Sequence, residues 1–189
     1  LISNLASLGK NREIEQYISE VLDIVNREEY IAATGNEFVD SMLCYKLSYA
    51  AKKGIKVVHS VTAGLEGIEN VDCCNLIGNL IDNAIKASEQ NGSVALQAAA
   101  DKGILQITVT DNGVGMHPEQ LRHIAEPFYM TDKSRSRKNG GVGLGLSLCA
   151  KIAARHSASL SVKSSPGKGT VVTVSLHCQE TAGEKGAAE

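Results

Sequence analysis

The stretch Asn139-Gly140-Gly141-Val142-Gly143-Leu144-Gly145-Leu146-Ser147 places four glycines within six residues, directly ahead of the apolar run of a helix. Without a Cβ, consecutive backbone N–H groups can turn toward one anion. A helix opening near Val142 would aim its positive end at the same place, which makes a phosphate the natural ligand. The dinucleotide fingerprint does not fit, because Lys133-Ser134-Arg135-Ser136-Arg137-Lys138 stands where a strand should, and Leu146 where the third glycine should. No GxxxxGK[ST] occurs. A flexible glycine linker ahead of a core helix would use the same residues, so the stretch alone leaves both readings open.

Three other groups could do chemistry with it. On a helix over residues 72–89, Asn75, Asn79, Asp82, Asn83 and Lys86 share a sector roughly 100° wide, at about 100° per residue, opposite Leu76, Ile77, Leu80, Ile81 and Ala84. Amide oxygens, a carboxylate and one cation suit a hydrated Mg²⁺ carrying phosphates, and a solvated helix face would also be polar. Asp111-Asn112-Gly113-Val114-Gly115-Met116 follows a strand. Its aspartate stands beside glycines that admit a planar ligand, and its carboxylate can accept hydrogen bonds from an exocyclic amine such as that of adenine. A tight turn would use the same residues, but His117-Pro118-Glu119-Gln120 starts a short helix and not a returning strand. Finally, Lys133, Arg135, Arg137 and Lys138 lie in a long polar loop over residues 126–141, suited to cover a polyphosphate.

The elements that must position these groups follow from period and turn chemistry. Residues 1–8 and 12–32 have helical apolar spacing, the second with Ile14, Ile18, Val21, Leu22 and Val25 on one stripe. They form a helical hairpin whose apolar face needs the body of the domain or, the favoured choice, a second copy. Thr34-Gly35-Asn36-Glu37 marks a boundary with an N-cap at Asn36, and Lys52-Lys53-Gly54 closes the helix it opens. Strands are expected over 55–61, 93–100, 104–110, 160–163 and 170–176, and a further helix over 142–155. Leu105, Ile107 and Val109 alternate with polar neighbours, the mark of a sheet with one buried face. Ser165-Pro166-Gly167-Lys168-Gly169 is a type II turn, and residues 179–189 are a small, charged tail expected to be disordered.

Bulk properties narrow the class. With 189 residues, 43% of them apolar, the chain can bury one full core. Twenty-one acidic against nineteen basic residues leave a formal charge of −2, and the bases form one local run, so no nucleic-acid partner is expected. No apolar run is long enough to cross a bilayer. Five cysteines, an odd number without CxxC spacing, argue against a disulfide framework or metal cluster and for reduced thiols.

Taken in order, the motifs resemble those of the GHKL ATPases, which join gyrase, heat-shock chaperones, histidine kinases and MutL. Asn79-Leu-Ile-Asp82-Asn83-Ala-Ile-Lys86 looks like the N box, Asp111-Asn-Gly113-Val-Gly115-Met116 the G1 box, Glu126-Pro-Phe128-Tyr129 the F box, and Gly141-Val-Gly143-Leu144-Gly145-Leu the G2 box. The resemblance spans residues 36–177 and implies an α+β Bergerat fold. This is a two-layer sandwich with a mixed, mostly antiparallel sheet backed by helices, preceded here by the N-terminal helical hairpin. Family members that hydrolyse ATP carry a glutamate four residues before the second N-box asparagine; this chain has Asn79 there. An amide takes no proton, so transfer to another acceptor is favoured over hydrolysis.

With the F box, the resemblance narrows to a sensor histidine kinase. It implies catalytic roles for Asn79, Asn83 and Lys86, with Mg²⁺ at Asn79 or Asn83. It implies ATP held by Asp111, Gly113, Gly115, Met116, Phe128, Lys133, Arg135, Arg137, Gly141, Gly143, Leu144 and Gly145. None of His59, His117, His123, His156 and His177 sits on a long helix ahead of an acidic residue, so the phosphoacceptor is expected upstream. Residues 1–33 would then be the remnant of a dimerisation hairpin and 34–178 the catalytic domain. The whole would be the cytoplasmic part of a membrane-anchored sensor, a homodimer that phosphorylates a response-regulator receiver domain. A serine kinase of the anti-sigma type and a nucleotide-gated binding module without transfer are the alternatives.

Overall fold

Asn36 accepts the backbone N–H groups of Phe38 (3.1 Å) and Val39 (3.2 Å) and so starts α1 (Glu37–Lys52). This helix buries Val39, Leu43 and Leu47 along one face, as its period requires. The computed structural model describes residues 11, 34–65, 68–130 and 142–177. The expected hairpin over 1–33, except for residue 11, the cations and Gly141 of the basic loop, and the tail over 179–189 lie outside these residues.

After α1 come β1 (Lys56–Val61), α2 (Asn70–Ala87), β2 (Ser93–Asp101), β3 (Ile104–Asp111), the single turn α3 (Pro118–Leu121), α4 (Gly145–Arg155), β4 (Ser159–Ser165) and β5 (Gly169–His177). They build one sheet in the order β1-β2-β3-β5-β4. Only β1 and β2 pair in parallel, which demands a crossover, and α2 supplies it. The remaining pairs are antiparallel, so the sheet is mixed and mostly antiparallel.

Between β2 and β3 the turn is Lys102-Gly103, both at positive φ (49° and 74°), the two-residue geometry that matches strand twist. One face of the sheet, with Leu96, Leu105, Ile107, Val109 and Val174, meets Leu76, Ile77, Leu80 and Ile81 of α2 in an aliphatic core. Each fully buried Leu or Ile there adds roughly 1.5–3 kcal/mol. The other face carries a polar row, Gln97, Thr108, Thr173 and Ser161 in register, with the two threonine hydroxyls 3.1 Å apart. Two layers result, because only one face is apolar. Cys73 and Cys149 act as small core residues; burial pushes both thiols up to about 12, so neither is reactive near neutral pH.

Parallel packing of α1 on α2 corrects one expectation. Asn36 Nδ2 donates to Asn70 Oδ1 (2.6 Å), and Lys46 Nζ meets both oxygens of Asp82 at 2.6 Å. Asp82 therefore serves α1 and not the polar site. At about 100° per residue it stands on one edge of the polar sector and Asn83 on the other, so two neighbours divide the stripe between them.

Candidate functional site

Helix α2 and the tips of three strands enclose a cavity of about 380 Å³, the size of a small-molecule site. Asn79, Asn83 and Lys86 line it from α2, Asp111 from the end of β3, Gly115 and Met116 from the loop after it, and Gly143, Leu144 and Gly145 from the start of α4. These are nine of the expected site residues. Leu80, Ala84, Val109, Val162 and Val172 make the walls apolar, and Thr170, Tyr129 and Met130 complete them. Spacing alone did not single out Thr170, Val162 or Val172, since alternation marks them only as strand residues.

Asp111 is only 6% exposed. Desolvation pushes its carboxyl above the usual range, while backbone N–H groups of Gly113 (2.9 Å to Oδ1) and Thr170 pull it partly back. The result is a buried, fixed acceptor in the lining of the cavity. Two side-chain amides gather beside the start of α4. Asn79 Nδ2 donates to Asn75 O (2.6 Å), which leaves Oδ1 for the cavity side. A Cβ on Gly145 would stand 3.1 Å from Asn79 Oδ1 and 3.3 Å from both Oδ1 and Nδ2 of Asn83, so glycine keeps open a cradle between two side-chain amides and the first turn of α4. Oxygen donors of this kind fit a hard divalent cation.

The glycines prove to have different duties. Gly143, at φ +77°, ends the loop, so α4 begins at Gly145 and not at Val142. Its carbonyl accepts the Phe128 N–H (2.9 Å), and a Cβ on it would meet Tyr129 O at 2.7 Å. Phe128 itself does not line the cavity. Its positive φ of 66° turns the ring outward to 67% exposure, and Tyr129 and Met130 face the site in its place. Gly113 also lies outside, pressed against the end of α2, where a Cβ would sit 2.3 Å from Ala87 O.

The turn between β4 and β5 closes the floor. Gly167 N–H donates to Val114 O (2.8 Å), and a Cβ on Gly169, at φ +81°, would come within 1.9 Å of Asp111 O. Gly169→Ala should therefore cost at least about 3 kcal/mol, combining backbone strain with a clash that only a shift of β3 can relieve. Urea unfolding measures it, and a cost below about 1 kcal/mol would show that the turn does not brace Asp111.

None of the five histidines lines the cavity. His156 binds Asp72 (2.7 Å) and His123 binds Glu126 (2.8 Å), away from it. Among the described lining residues Asp111 is the one carboxylate, and it stands apart from the amide cradle in sequence and element.

Residues 69–180 match the family described as "Histidine kinase-, DNA gyrase B-, and HSP90-like ATPase". The chain is 43% identical over 101 residues to the sensor histidine kinase RppB of Synechocystis, covering 53% of this chain and 22% of that protein. It is 44% identical over 108 residues to the sensor histidine kinase YkoH of Bacillus subtilis, covering 57% and 23%. The chain thus spans about a quarter of the length of these relatives. Among solved structures, the mycobacterial sensor histidine kinase MprB superposes with a TM-score of 0.60 at 23% identity, covering 75% of this chain and 93% of that one. At that identity the likeness carries the fold, the Bergerat arrangement of histidine kinase catalytic domains. Among the described residues no helix is long and apolar enough to cross a membrane.

Proposed function

Because the chain belongs to the histidine kinase-, DNA gyrase B- and HSP90-like ATPases, we propose that it is the ATP-binding catalytic part of a two-component sensor histidine kinase. The carrying observation is a cavity lined by one buried carboxylate, Asp111, suited to accept an adenine amine, and by two asparagines of α2, with no other carboxylate and no histidine among its described lining residues to activate water. Such a site holds a nucleoside triphosphate and hands its phosphate on.

In this reading Asp111 accepts the exocyclic amine of adenine, while Met116 and Leu144 flank the base. Lys86 and the N–H groups at the start of α4 balance phosphate charge. Lys133, Arg135, Arg137 and Gly141 belong to the loop that covers the triphosphate. Asn79 and Asn83 would hold Mg²⁺, which when bound neutralises charge on the phosphates. A histidine nitrogen from another segment donates its lone pair to the γ-phosphorus; the N–P bond forms as the bond to the bridging oxygen breaks, and ADP leaves with that electron pair. The chain's own share is positioning and electrostatics. Residues 1–33 serve as the end of a dimerisation hairpin ahead of the catalytic domain over 34–178, and a response-regulator receiver domain takes the phosphate onward. The sensor as a whole is read as membrane-anchored, with this part in the cytoplasm.

The test is titration with ATP and Mg²⁺, followed by incubation with a histidine-bearing hairpin of a related kinase. ATP should bind, and the hairpin should gain an acid-labile, base-stable phosphate. Acid-stable phosphoserine on a partner would instead identify a serine kinase. Binding without transfer to any acceptor would leave a nucleotide-gated module.

A further inference from the structure

Ser164 lies on β4 beside Thr170 of β5, which in turn pairs with Asp111 of β3. Val162, Thr170, Val172, Val109 and Asp111 of the same three strands line the cavity, so Ser164 stands at the border of its floor. Three hydrogen bonds meet at the Ser164 hydroxyl. It accepts the Met116 N–H (2.9 Å), contacts Gly169 O at 2.8 Å, and lies 3.0 Å from the Thr170 hydroxyl. A carbonyl oxygen can only accept, so the single Ser164 proton goes to Gly169. Its oxygen is then an acceptor in both remaining contacts. The Thr170 proton must therefore point at Ser164, and what the Thr170 oxygen retains is lone pairs.

The geometry points to Ser164 as a specificity-determining residue: by fixing the direction of the Thr170 proton, it makes the cavity floor acceptor-only, with the Thr170 oxygen beside the Asp111 carboxylate. An acceptor-only floor matches a 6-amino group and opposes a 6-oxo group, whose oxygen would meet lone pairs with no proton between. Ser164 touches no ligand in this account; it acts through Thr170. The inference rests on the nucleotide reading of the cavity and adds to it the basis for choosing between purines that differ at one position.

The experiment compares ATP with inosine triphosphate, which differs from it by that 6-oxo group, on the full chain by calorimetry. Wild type should prefer ATP. Ser164→Ala frees the Thr170 hydroxyl to rotate and donate, so the preference should fall by about five- to tenfold, mainly through tighter inosine triphosphate binding. Ser164→Thr keeps the hydroxyl and should keep the preference. Thr170→Val, of similar shape, should narrow the ratio from the other side by weakening ATP, and it serves if Ser164→Ala does not fold. ATP binding with an unchanged ratio in a folded Ser164→Ala or Thr170→Val variant overturns the role of Ser164 alone. Wild type that binds neither nucleotide overturns the nucleotide reading with it.

Discussion

Asp111→Asn weakens nucleotide binding by about two orders of magnitude and leaves the fold in place. The buried carboxylate accepts backbone N–H groups of Gly113 and Thr170 and offers its remaining lone pairs to the cavity. An amide keeps the shape but replaces one acceptor with a donor, so an adenine amine would face N–H against N–H. A charged hydrogen bond is lost and a polar group is left unpaired, a cost of roughly 3 kcal/mol or about two orders of magnitude in affinity. Calorimetry reads it, and affinity within threefold of wild type would remove Asp111 from the adenine site.

The same carboxyl sets a pH dependence. Its folded pKa is raised by desolvation above the unfolded value. Protonation therefore stabilises the folded chain, a contribution present below the unfolded pKa and lost as pH rises through the folded one. Nucleotide affinity moves the opposite way, because the binding form is the carboxylate, and it should fall as pH drops through that raised pKa. Without ligand, Asp111→Asn buries no charge and should unfold at neutral pH no earlier than wild type. Marked destabilisation would mean that the carboxylate is needed by the fold.

Asn83→Ala should lower phosphoryl transfer by roughly a thousandfold while ATP still binds. Asn83 shares with Asn79 the cradle that Gly145 keeps open, so the variant deletes one of two side-chain amides beside the start of α4. Removing a group that balances developing charge typically costs about 10²–10³ in rate, and a cation ligand is at the upper end. Alanine is the best helix former, so α2 should keep its stability. The measurement uses a longer chain carrying the phosphoacceptor helix and counts acid-labile phosphate. Transfer within threefold of wild type would exclude Asn83 from the charge-balancing set. Slower transfer with an unfolded α2 by circular dichroism would assign the loss to structure.

Much of this was legible in the residues. Alternation of Leu105, Ile107 and Val109 placed Asp111 at a strand end, the helical period put Asn79, Asn83 and Lys86 on one side of α2, and the glycine run marked the start of α4 to within three residues. The partition of that polar side was not legible. Period says which residues share a face but not which neighbour the face meets, and α1 takes Asp82 through Lys46. Phe128 and Gly113 were placed in the site by motif, yet a positive φ turns one outward and the end of α2 covers the other.

What the sequence determined by itself is local: turns, caps, periods and the chemical types along α2, the strand end and the glycine run. These depend on residues a few positions apart, which the order of the chain displays directly. Only the tertiary structure decided that Ser164 and Thr170 stand beside Asp111, about fifty to sixty positions away in the chain. Strand register is set by packing of the whole buried face and by the glycine contacts between turns, and no short stretch of residues carries that information.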